Sequence, residues 1–245
     1  MTTSGTTSFD LPITVAIEEA FERGGAEARS GYDLLTATRS LSLMFVDWAN
    51  RGINLFLVDG PYSIPMVQGT ITYDLPVDTI DLLDCVIRTG TGVQQMDINI
   101  NRISESTYLS IPTKNSQGRP VQVWVNRQTG ATYPTATAPY PSGVNYPTIN
   151  VWPAPDQSSF YTFVYYRLRR IQDPGTGSTT QDIPFRFLNA MVAGLAYHLS
   201  IKLPNIPPER IQMLKMDYAE QLQLAMDEDR EKSSCRWVPR IRGVR

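Results

Sequence analysis

The sequence predicts an α+β protein: a helical bundle formed by N- and C-terminal helices, an inserted antiparallel β-sandwich or barrel-like domain, and an extended C-terminal arm. Three observations lead there. Apolar residues recur at three- and four-residue steps at both ends of the 245-residue chain. Between them, from about 55 to 170, short β-rich runs are separated by Pro, Gly and Asn. Residues 232–245, KSSCRWVPRIRGVR, show neither period. Helices separated in sequence by a β block must meet to bury their stripes, so the β block reads as an insertion. The expected segments are 1–54, 55–180, 181–231 and 232–245.

The first helix is expected over 14–25, TVAIEEAFERGG, with Asp10 or Thr14 as cap. Ile13, Ile17, Ala20 and Phe21 share one face, and Gly24-Gly25 stop it. The second, 31–52, carries a longer stripe of Leu34, Ala37, Leu41, Phe45 and Trp48, widened by Leu35 and Met44. Gly52 stands where a left-handed C-cap is expected. Together the two form an antiparallel pair.

Candidate strands follow at 62–67, 70–75, 80–89, 93–100, 121–126, 148–153 and 160–170. In the last, Phe160, Thr162, Val164, Tyr166 and Leu168 alternate with Tyr161, Phe163, Tyr165 and Arg167. Both faces are rich in apolar side chains, as in a strand buried on both sides or half-covered by a neighbouring subunit. SESTYLSIP (104–112) reads as a short helix capped by Ser104. GATYPTATAPYPSGVNYP (130–147) is uncharged, and too long and polar for a hairpin loop. Tyr133, Tyr140 and Tyr146 give it adhesive side chains and mark it as an ordered contact loop, touching a neighbouring protein.

Helical spacing returns in 182–204, opened by Asp182 and Pro184, with a stripe of Leu188, Val192, Leu195 and Leu199. Ala190, Ala193, Gly194 and Ala196 are small enough for close helix approach. The last helix, 207–232, begins with prolines at permitted first-turn positions and carries Ile211, Leu214, Tyr218, Leu222 and Ala225. No internal repeat appears.

The net charge is −2; removing the arm's five basic residues leaves 17 basic against 24 acidic, or −7, over 1–231. A body of that sign is unlike a nucleic-acid binder, which shows a basic face. The arm is different: Lys232, Arg236, Arg240, Arg242 and Arg245 surround Trp237, Pro239 and Ile241. Trp with Arg is the pairing most enriched at protein interfaces, so the arm is expected to bury itself in another protein. Cys85 and Cys235 form no C-x-x-C pair and fit a reducing compartment such as the cytoplasm. The N-terminus has no basic n-region or apolar h-region. No apolar run nears the ~20 residues that span a bilayer, so no membrane is expected.

Chemistry is hard to find in these residues. His198, the sole histidine, lies in a helix beside an apolar stripe, the usual setting of a structural imidazole. Asp74, Asp78, Asp81 and Asp84 cluster, but read as turn and strand-edge residues rather than an acid pair. GTGSTTQD (175–182) and RTGTGV (88–93) lack the phosphate-loop pattern. No catalytic residue, metal site or cofactor is expected. MDEDREK (226–232) puts acids at a helix C-terminus, where the dipole disfavours them.

Seven stretches occur in order, within a similarity that runs over roughly residues 8–232: FDLPITVAIEEAFERGG, LLTATRSLSLMFVDWANRGINLFLV, QGTITYDLPVDTIDLLDCVIR, GRPVQVWVNR, TINVWPAPD, FVYYRLRRIQD and DIPFRFLNAMVAGLAYHLSIKLP. The most specific pieces are WANRGINL, TYDLPxDTIDLL and VWPAPD. This set resembles the head-to-tail adaptor (connector, or tail-tube accessory) proteins of short-tailed bacteriophages. The resemblance implies a virion structural protein forming a closed ring of about twelve subunits. The ring would dock beneath the portal, extend the channel for double-stranded DNA and offer a platform to the tail nozzle. The C-terminal segment, with Lys232, Arg236, Trp237, Pro239, Arg240, Ile241, Arg242 and Arg245, would pack against the portal. The arm and the 130–147 loop lie outside the matched stretches.

Two other readings stand beside this one. The aromatic, acid-bearing β block suits a carbohydrate-binding or glycan-cleaving tail module, although helices at both ends are unusual for one. The basic arm suits a DNA-binding protein, which would show steeply salt-dependent binding lost on removing 232–245.

Overall fold

The computed structural model describes residues 4–7, 9–27, 31–52, 55–128 and 145–230, with 132–133 and 143–144 as backbone strands. The chain is mixed α+β and divides into two compact units, residues 1–56 with 172–245, and residues 57–171.

The first unit holds α1 (Ile13–Gly24), α2 (Gly31–Asn50), α4 (Leu188–Ser200) and α5 (Pro208–Glu228). Its centre is α4, buried almost all round from Ala190 to Ala196. Both α1 and α2 pack chiefly on α4 rather than on each other, so the expected antiparallel pair is secondary to this hub. Small residues make the hub possible. A Cβ at Gly194 would lie 2.5 Å from Met44 Sδ and 2.7 Å from Tyr218 Cε2, so α2 and α5 close onto α4 only because that atom is missing. Buried polar links fix the arrangement: Trp48 Nε1 donates to the Tyr218 hydroxyl at 2.8 Å, and Lys202 Nζ to Ser40 Oγ at 2.7 Å.

Helix ends depart from expectation in instructive ways. Neither Asp10 nor Thr14 caps α1; Pro12 occupies the cap position, with no side-chain bond. The free amides of Ile13 and Thr14 instead reach the carbonyls of Thr179 and Gly177, at 3.0 and 3.4 Å. The glycine-rich segment 175–182 is therefore a backbone cap for a distant helix. At the other end Gly25, at φ +84°, forms the left-handed stop. Gly52 does not: it lies beyond α2 at φ +133°, outside the αL well. The helix expected from Asp182 starts only at Leu188, because Pro184 holds its backbone extended and a single 3₁₀ turn, Phe185–Phe187, intervenes. Pro207 and Pro208 open α5.

Among the described residues the second unit contains ten strands, β1 (Val58–Pro65), β2 (Thr72–Asp74), β3 (Thr79–Thr89), β4 (Met96–Asn99), β5 (Asn101–Arg102), β6 (Gln122–Asn126), β7 (Thr132–Tyr133), β8 (Gly143–Val144), β9 (Thr148–Trp152) and β10 (Tyr161–Arg169). One sheet has the order β1-β10-β3-β4 and the other β2-β9-β6-β5. All pairs are antiparallel except β5 with β6, a two-residue parallel ladder. Short α3 (Glu105–Ser110) is capped by Ser104, whose hydroxyl accepts from the Thr107 amide at 3.3 Å. One apolar cluster draws on both sheets, including Leu82, Ile87, Phe163 and Tyr165 from the first and Val123, Val125, Ile149 and Val151 from the second. Along β10, Tyr161, Phe163, Tyr165 and Arg167 are buried; on the opposite face Val164 is buried, Thr162 and Leu168 are half-buried and Tyr166 is exposed, so that face is covered in part. The uncharged 130–147 stretch carries the β7–β8 pair.

Candidate assembly surfaces

The arm residues Lys232, Arg236, Trp237, Pro239, Arg240, Ile241, Arg242 and Arg245 lie outside the described residues, as does Tyr140. Tyr133 belongs to β7, and Tyr146 is exposed just before β9.

The helical unit carries a feature the sequence reading missed. Beyond its buried stripe, α2 has a second apolar row on its outer face: Tyr32, Leu35, Leu43 and Val46, with Leu35 67% and Leu43 65% exposed. Leu35 therefore does not widen the core stripe, as expected; only Met44 does. Exposed Arg39 stands midway in this row. A similar row runs down α5, where Met213, Met216 and Leu224 are exposed around Glu220. The signal was present as a second three- and four-residue period, but on a helix already assigned one stripe it merged with the first. Beside the α5 row, an open groove of about 760 Å³ is lined by Tyr197, Ile201, Pro208, Ile211 and Met216.

The acids at the end of α5 find their reason here. Asp229 is buried, pairs with Arg186 and accepts the Leu55 amide at 2.8 Å. It ties the end of α5 to the turn before α4 and to the chain just before residue 57. Asp227 pairs with Arg230.

The acidic cluster of the β unit is divided among separate partners. Asp78 pairs with buried Arg167, which also reaches Asp59 at 3.2 Å and Thr79 Oγ1 at 3.0 Å, under the Tyr62 ring. The Tyr62 hydroxyl donates to Asp59 at 2.5 Å and, with Arg167, holds that carboxyl below its ordinary value. Asp81 bridges Arg102, at 2.6 Å, and Arg127. These acids act as cross-links between strands and turns. Burial pushes the Cys85 thiol up to about 11, which leaves it protonated and poorly nucleophilic at neutral pH.

His198 lies half-buried in a groove of about 460 Å³ with Asp47, Arg51, Lys215 and Tyr218. Its ring sits 5.2 Å from that of Tyr197 and 6.1 Å from that of Tyr218. Burial holds its pKa down, so it is a neutral aromatic spacer at pH 7. Among the described residues, no group of three His, Cys, Asp or Glu side chains is placed to hold a metal ion. None of their helices is long and apolar enough to cross a membrane.

No curated protein matches the chain. A family model described as SU10 adaptor protein matches residues 25–242, nearly the whole sequence and all four long helices but the first. The chain therefore belongs to the SU10 adaptor protein family, structural adaptors at the head-to-tail junction of bacteriophages.

Proposed function

We propose that the chain is one subunit of a closed ring, of about twelve copies, seated between the portal and the tail nozzle and extending the DNA channel without catalysis. The observation that carries this reading is the family match over residues 25–242. In this reading the long helices form a bundle, residues 57–171 form an inserted β-sandwich, and residues 232–245 form the portal anchor. An arm that orders on docking gives up conformational entropy but wraps a large surface, which suits stepwise assembly. Its arginines and Trp237 would be the anchors, and the loop carrying Tyr133, Tyr140 and Tyr146 would touch a neighbour or the nozzle. The acidic body, −7 over residues 1–231, favours free passage of DNA, since cationic contacts are what retain phosphates.

The test compares the full chain with a truncation ending at Glu231 on purified portal rings, by sedimentation and negative-stain imaging. The expected result is a second ring on the portal with the full chain and none with the truncation. A truncation that docks normally but no longer retains DNA would assign the arm to nucleic acid instead.

A further inference from the structure

The two outer rows of the helical unit match each other in a way that selects an occupant. On α2, Arg39 has Leu35 four residues before it and Leu43 four after, all on one exposed face. On α5, Glu220 has Met216 four before it and Leu224 four after, again exposed. The two faces thus share one layout, apolar, charged, apolar, with opposite charge at the centre. Arg39 and Glu220 take part in none of the ion pairs formed among the described residues. Aligning the two charges brings Leu35 and Leu43 onto Met216 and Leu224 whether the helices run parallel or antiparallel.

We propose that the outer face of α2 on one subunit packs against the outer face of α5 on the next, a heterologous contact centred on Arg39 and Glu220. The occupant of each face is a second copy of this chain. The charges disfavour symmetric contacts centred on the same rows: α2 on α2 would set Arg39 against Arg39, and α5 on α5 would set Glu220 against Glu220. Because the two faces are different surfaces of one subunit, each bound copy leaves a free α5 face at one end and a free α2 face at the other. That is the geometry that propagates, and closes when the rotation per subunit divides a full turn. The inference rests on the ring reading and adds which surfaces make the ring.

Charge exchange tests it with full-length protein, both alone over a range of concentrations and on portal rings, read by sedimentation and mass photometry. Arg39→Glu and Glu220→Arg should each raise the concentration needed for assembly about tenfold or more, since each places like charges at the centre of the contact. The double variant, with the pair reversed in one chain, should return to within about threefold of the parent. Both positions are exposed, so melting and circular dichroism should stay unchanged in all three. If the single changes leave assembly intact, or the double assembles as poorly as the weaker single, this interface is wrong while the ring stands. If Arg39→Ala alone strengthens self-association, by removing the repulsion between two Arg39 side chains, α2 meets α2. If the parent stays monomeric in solution and on portal rings alike, the ring reading itself fails and takes this interface with it.

Discussion

The two units solve the problem of apolar surface differently. The β unit completes its own core: residues of both sheets share one cluster, and its exposed apolar residues, such as Val67, Val77, Val93, Met96 and Tyr166, are spread over turns and several strands. The helical unit has a surplus. After α2 and α5 have each committed a stripe to α4, each still shows solvent a second apolar row. Scattered exposed residues are ordinary on any surface; rows aligned along a helix mark places where another element lies. The polar groups divide the same way. In the β unit, Arg167, Asp59, Asp78 and Asp81 are occupied in internal cross-links. On the outer helix faces, Arg39 and Glu220 are exposed and enter no ion pair among the described residues. In the interface proposed above, one unit stands by itself and the other is completed by a neighbour.

Paired substitutions sharpen this contrast. Phe163 is fully buried in the β core, and Phe163→Ala should cost about 3–5 kcal/mol of stability through lost transfer energy and the cavity left behind. Leu43→Ala, on the outer face of α2, should alter folding stability by no more than about 0.5 kcal/mol while weakening subunit association about tenfold. Denaturant melts with hydrogen exchange separate the two effects. A Leu43→Ala chain that melts early would place that face in an intramolecular role.

Next in size is the clasp at the end of α5. Asp229→Ala leaves Arg186 without its buried carboxylate and the Leu55 amide without its acceptor, and should destabilise the helical unit by about 3 kcal/mol. Loss of exchange protection should centre on α4 and α5 and spare β3 and β10. Uniform loss across both units would mean that the units unfold together.

The smallest effect is set by pH. The folded-state pKa of Asp59 is depressed below 3.8, so its contribution is fully present above that value and disappears as pH falls through the folded value. Thermal melts between pH 5 and pH 2 should therefore show a decline that is shallower in Asp59→Asn. An unchanged profile would remove Asp59 from the balance of the β unit.

Local grammar determined much of this protein. Pro207-Pro208 had to begin a helix, Gly25 had to end one, and the alanines and Gly194 of α4 had to lie where helices meet, because these depend on backbone sterics and side-chain volume. The alternation of β10 likewise identified Tyr161, Phe163, Tyr165 and Arg167 as one face, which is buried throughout, and an apolar opposite face, which is covered only in part. What only the tertiary structure decided were partnerships between residues far apart in the chain. The cap of α1 comes from Gly177 and Thr179, more than 160 positions away, because any segment with free carbonyls can satisfy a helix end. Asp229 could be read as an ill-placed acid until Arg186 and Leu55 appeared beside it. Leu35 looked like core because one period predicts a stripe without saying which of two stripes folds inward; α4 chose, and left Leu35 facing out. Sequence determines what each segment can offer, and packing determines which offers are taken up within the chain and which remain for a partner.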